Sequence, residues 1–264
     1  MLNYNLLIKQ SSILLLSLAT VFTTFGHQSE AQEAEGNTTI EEITEGENIT
    51  VGEKVTVRGE VTEVEPGISF VMQEEGFLSG DEVLVINVSE KTLPEDVSDL
   101  PLQVTGEVAT LVLADVEREY GLDLDPELYV DYESQPVILA DNMVLSPEIE
   151  DVSESPENYY GIEIALEGEI AEIRNAYTFT LEEDELFGGD ELLMINATGE
   201  AIPENDEAVV VTGMVRPFVK AEFDRDYDLT WDLDIQEEIE AEYSEKPVLV
   251  VDSIYPSAQE DGLF

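Results

Sequence analysis

Residues 59–89 read GEVTEVEPGISFVMQEEGFLSGDEVLVINVS, and residues 168–198 read GEIAEIRNAYTFTLEEDELFGGDELLMINAT. Aligned without a gap at an offset of 109, the two stretches share 11 identities in 31 positions. In a chain of 264 residues, a repeat with this period predicts two domains of ordinary size.

Each copy reads as the first three strands of a small β domain. In the first, KVTVRGEVTEV alternates apolar and polar residues from Lys54, with Gly59 marking a bend, and Pro66-Gly67 is a turn. Ser69 to Gln73 and Asp81 to Val88 follow as strands two and three, and a glycine-containing loop, Glu75 to Gly80, lies between them. A short connection, 89–100, has room for one helical turn around Pro94. Leu102 to Leu113 is strand four, bent at Gly106, and strand five opens at Pro136.

The insertion between strands four and five, 114–135, spaces Val116/Tyr120 and Leu128/Tyr132 for two short amphipathic helices. The second copy repeats the order, with strands at 162–173, 177–182, 191–197, 208–219 and 247–254. Its insertion carries Phe223/Tyr227 and Ile235/Ile239/Tyr243 at the same spacings and is four residues longer.

The boundaries that follow are a signal peptide at 1–31, a flexible acidic lead-in at 32–46, a first domain at 47–146, a linker at 147–156, a second domain at 157–258 and a tail at 259–264. The leader has Lys9 before an apolar run, Ile13 to Phe25, and small residues at Ser29 and Ala31 for cleavage. An uncleaved anchor is the alternative reading. The expected location is outside the cytoplasm, periplasmic or extracellular.

The formal charge is −52, from 62 acids against 10 bases. It is spread over both domains, −19 for residues 47–146 and −22 for 157–258. Such a chain repels itself unless counter-ions screen it, which molar salt does within about 3 Å. The composition therefore predicts adaptation to high salt, with solvent cations as constant company. Four Asn-x-Ser/Thr triplets, at Asn37, Asn48, Asn87 and Asn196, are glycan acceptors only in a eukaryotic secretory pathway.

The glycine-centred motifs of strands one and four (VRGEV, VTGEV, LEGEI, VTGMV) and the closing PVILAD and PVLVVD resemble the OB-fold, a five-stranded Greek-key barrel. The resemblance implies a mainly β chain of two tandem OB-like barrels, each with a short helical insertion between strands four and five. A pair of small β-sandwiches is the alternative. The helix usual between strands three and four looks vestigial here.

OB-folds often bind single-stranded nucleic acid through a basic groove, but four or five bases per domain cannot supply one. Anionic membranes are excluded by the same sign of charge. The single histidine, His27, lies in the leader and cysteine is absent, so no triad with a histidine base forms in the mature chain. Gly76-Phe77-Leu78-Ser79-Gly80 is out of register with a nucleophile elbow. No enzyme is expected, with a carboxylate-based hydrolase as the remote alternative.

No cofactor is called for. The one ion on offer is Ca²⁺, at a weak site formed by Asp224, Asp226, Asp228, Asp232 and Asp234. That run begins like a calcium loop, then has Leu229 and Ile235 where the turn glycine and the bidentate glutamate belong. The insertion aromatics Tyr120, Tyr129, Tyr132, Tyr227, Trp231 and Tyr243 either anchor the insertions on the barrel end or line a ligand surface. The expectation is a non-catalytic binding or scaffold protein whose partner is a protein or a glycan.

Overall fold

The computed structural model describes residues 37–46, 49–65, 67–73, 81–89, 101–183, 190–227 and 233–258. The fold is mainly β, with a closed five-stranded barrel and further strands. In the first half the strands are β1 (Lys54–Glu65), β2 (Ser69–Gln73), β3 (Glu82–Asn87), β4 (Pro101–Thr110) and β5 (Pro136–Leu145). β1 pairs with β2, β2 with β3, β3 with β5, β5 with β4, and β4 returns to β1. All ladders are antiparallel except β3–β5. That closed circuit disfavours a sandwich.

The second half has β6 (Glu163–Asn175), β7 (Thr178–Glu182), β8 (Glu191–Asn196), β9 (Ala208–Pro217) and β10 (Pro247–Pro256). Its ladders are β6–β7, β7–β8, β8–β10 (parallel), β10–β9 and β9–β6. The glycines of the repeated motifs sit at equivalent crowded points. A Cβ on Gly59 would fall on the carbonyl oxygen of Gln73, and on Gly168 on that of Glu182. On Gly106 it would meet the Leu139 carbonyl, and on Gly213 that of Val250. Glycine is needed there for close backbone approach where strongly coiled strands cross.

Side chains alternate between two apolar layers. Phe70, Met72, Val83, Val85, Ile138 and Ala140 point into the core of the first half, whereas Val71, Leu84, Ile86, Val137 and Leu139 point out into a separate buried cluster. β3 and β5 are thus buried on both faces, which is why their sequences run continuously apolar. The second half repeats this, with Met194 and Leu249 in one cluster and Leu193, Ile195, Val248 and Val250 in the other.

Two segments differ from expectation. The described part of the lead-in forms helix α1 (Ile40–Glu45), with a capping box between Thr39 and Glu42 and Gly46 in the left-handed conformation at its end. Ile40 and Ile43 are buried in the first half's core. The linker forms a helix too, numbered α3 in chain order (Ile149–Glu154), and Ile149 and Val152 lie in the second core. The two helices are again 109 residues apart, so the repeat begins well before Gly59. Acidic composition hid both, because each is a single turn and a half that presents only two apolar residues.

The loop 75–80, the connection 90–100, the leader and the tail from 259 lie outside the described residues. In the second half, 197–207 contains no helix.

Candidate functional site

The insertion of the first half opens with α2 (Leu113–Tyr120), closed by Gly121 in the left-handed conformation. The expected second helix around Leu128 and Tyr132 is instead a single 3-10 turn, Val130–Tyr132. Asp125 starts a tight turn there, accepting from the Glu127 N–H at 3.0 Å, and Pro126 leaves little length for a helix. Leu113, Val116, Leu124 and Tyr129 cover the outward residues of β2, β3 and β5. Tyr129 is 2% exposed, and its hydroxyl shares a 2.8 Å hydrogen bond with Ser69 Oγ.

In the second half the insertion holds α4 (Lys220–Asp226) and α5 (Leu233–Tyr243). Phe218, Phe223, Ile239 and Tyr243 cover the outer face of β8 and β10. The insertions are therefore laid along the side of the strands and not on a barrel end. In OB-folds the face of strands two and three is where ligands bind. Here the chain's own insertion occupies it.

Two arginines, which the sequence reading passed over, fasten the second insertion. Arg216 on β9 lies 5.3 Å from the Phe223 ring centre and 6.0 Å from that of Tyr227. It donates to the Tyr227 hydroxyl at 3.3 Å and to Asp226 Oδ2 at 3.2 Å. Arg174 on β6 lies 5.3 Å over Tyr243 and donates to Glu242 Oε2 at 2.9 Å. The Arg174 hydrogen bond holds the Glu242 carboxyl below its usual range. Burial pushes the Tyr243 phenol up to about 12. In a chain with ten bases, an arginine at the end of a strand was the available signal.

The tyrosines expected at the site are not one surface. Tyr243 is 7% exposed and anchors α5. Tyr227 and Tyr132 are half-buried against the two outer clusters. Tyr120 is 37% exposed at the end of α2, its phenol pushed up by partial burial and by the nearby carboxylates of Glu119, Glu107 and Asp141. Trp231 lies outside the described residues.

Of the expected metal ligands, Asp226 is engaged by Arg225 (2.8 Å) and Arg216, and hydrogen bonds from both, Arg225 first, hold its carboxyl low. Asp224 pairs with Lys220 at 3.5 Å. Asp228 and Asp232 lie outside the described residues, as does the side chain of Asp234. Among the described residues no three acids gather as a metal site.

Elsewhere, every lysine and arginine head group among the described residues meets a carboxylate or an aromatic ring, for example Lys54 with Asp141 at 3.0 Å and Lys246 over Tyr243 at 5.3 Å. Two of the Asn-x-Ser/Thr triplets are turns. Asn87 Oδ1 accepts from the Ser89 hydroxyl at 2.7 Å, and the buried Asn196 Oδ1 accepts from that of Thr198 at 2.6 Å.

Against known proteins, the chain matches no family model and no curated protein sequence.

Proposed function

We propose that the chain is an exported, salt-adapted, non-catalytic binding or scaffold protein made of two tandem OB-like barrels with helical insertions between strands four and five. Its partner, a protein or a glycan, rests on the outer side of those insertions. The observation that carries this reading is the covered face of β2, β3 and β5, together with its counterpart on β8 and β10. Among the described residues these outward faces are already covered, so a ligand approaching them meets the insertions first. Both five-strand circuits and the equivalent glycine contacts support the tandem arrangement. The engagement of the described bases supports a partner that is not a polyanion.

Trp231 is the single tryptophan, so its emission reports on the second insertion alone. Titrating oligosaccharides and cationic peptides in molar NaCl, the expected result is a saturable shift in that emission in the wild type, and an affinity by calorimetry weakened at least about tenfold by Trp231→Ala or Tyr120→Ala. Turnover of the added ligand, or binding indifferent to both substitutions, would overturn the reading.

A further inference from the structure

The two halves meet through equivalent positions. Arg58 on β1 and Glu167 on β6 occupy the same place in the repeat, and they form an ion pair with each other, their side chains only 11% and 18% exposed. Each is held by the equivalent serine of its own half. Arg58 Nε donates to Ser146 Oγ at 2.6 Å, and Ser257 Oγ donates to Glu167 Oε1. The backbone N–H groups of those serines bond the equivalent carbonyls of Pro101 and Ala208, at 2.9 and 3.0 Å.

Around this pair the contacts come in mated sets. The Tyr255 hydroxyl on β10 donates to Gln103 Oε1 on β4 at 2.6 Å. The counterparts of those two residues are Val144 and Val210, which share one buried cluster with Tyr255 and Ala165. Between the halves, Ser146 both closes the first and, in the next turn of the repeat, opens the second. At the other end, Asn37 stands in the place of Ser146 and Pro256 in the place of Leu145, and the Asn37 side-chain amide donates to the Pro256 carbonyl at 2.6 Å.

Contacts that recur with the two halves exchanging roles are the mark of an isologous interface. We infer that the halves are associated as the subunits of a two-fold dimer within one chain. Arg58 and Glu167, at the axis, make each half's partner the other half and not a second copy of itself. The inference rests on the two-barrel reading. A residue on a two-fold axis meets its own equivalent, so pairing two first halves would bury Arg58 against Arg58, and two second halves Glu167 against Glu167. A buried like-charge pair is refused and the mixed pair accepted. The β1–β4–β5 surface of the first half is therefore an interaction surface, and its partner is the matching surface of the second.

A charge-reversal cycle tests this in molar NaCl, where exposed pairs are screened. Arg58→Glu and Glu167→Arg, each alone, should raise protease cleavage between 146 and 163 at least about tenfold and split one melting transition into two. Because the positions are equivalent, the double reversal should restore resistance and the single transition. Two folded half-length fragments from the single variants, with no rescue in the double, would overturn the two-fold pairing and leave the two barrels standing. Cleavage that yields no folded fragment would overturn the two-barrel reading itself. Should reversal prevent folding, Arg58→Gln and Glu167→Gln give a milder cycle, expected to show the same two losses without rescue in the double. Wild-type cleavage in both of those variants would equally overturn the inference.

Discussion

Thr178 and Thr180 on β7 are fully buried, and neither hydroxyl has a hydrogen-bond partner. The first half resolves both positions differently. Ser69, equivalent to Thr178, bonds Tyr129, and the position of Thr180 is the apolar Val71. A buried hydroxyl without a partner costs on the order of 1–3 kcal/mol. Thr180→Val copies the first half's solution at nearly constant volume and should stabilise the protein by about 1 kcal/mol. A urea midpoint that fails to rise in molar NaCl would mean that water satisfies the hydroxyl. Tyr243 carries a second prediction at this scale. Its neutral phenol is favoured in the folded state, since burial raises it from 10.0 to about 12. The stability this represents is fully present below pH 10 and is lost as pH rises through about 12. Tyr243→Phe keeps the ring and removes that titration, so alkaline melting of the variant should fall less steeply between those limits than that of the wild type.

At the scale of elements, the helices before each half show where the sequence was legible. Helix α3 sits in a stretch whose two prolines and acidic run read as a linker, yet Val152 is buried in the second core. Val152→Ala should therefore cost about 2 kcal/mol, far above the few tenths expected of a residue in a solvated linker. Chemical denaturation distinguishes the two. The strands were readable to within a few residues because glycine bends and alternation are local signals. The one-and-a-half-turn helices were not, since a pair such as Ile40 and Ile43 has no periodicity to display. The insertion was half legible: Val116 and Phe223 announced an apolar face, but nothing local said that this face lies on the side of β2, β3 and β5 and not across a barrel end. That placement depends on the outward-pointing Leu84, Leu139 and their neighbours, whose long-range pairing a linear reading cannot reach. Of the described acids of the expected metal run, Asp226 is drawn to a base for a similar reason. Asp226 lies where Arg216, ten residues earlier on a strand, can reach it.

At the scale of the whole molecule, charge decides under which conditions these contacts hold. With 62 acids against 10 bases, carboxylates far outnumber the bases that could pair with them. At roughly 10 mM ionic strength their repulsion extends about 30 Å, across an entire barrel, and at 1 M about 3 Å. Salt also weakens exposed ion pairs such as Arg118–Asp115 and Arg225–Asp226, which pulls in the opposite direction. Exposed pairs of this kind add little, and bases are too few for them to prevail. The partly buried Arg58–Glu167 pair is screened little and should persist across the range. Stability followed by circular dichroism should therefore rise continuously from about 10 mM to molar NaCl. Choline chloride at equal ionic strength should reproduce the rise, because screening does not require a cation small enough to be coordinated. A fold equally stable at both extremes would remove salt adaptation as the reason for the acidity. A rise produced by NaCl and not by choline would replace general screening with cations held at particular carboxylates, and the glutamate–aspartate pair Glu163 and Asp252 would be the first to examine. There the Asp252 carboxyl is pushed up by partial burial and by Glu163, at the point where the first half places Lys54 against Asp141.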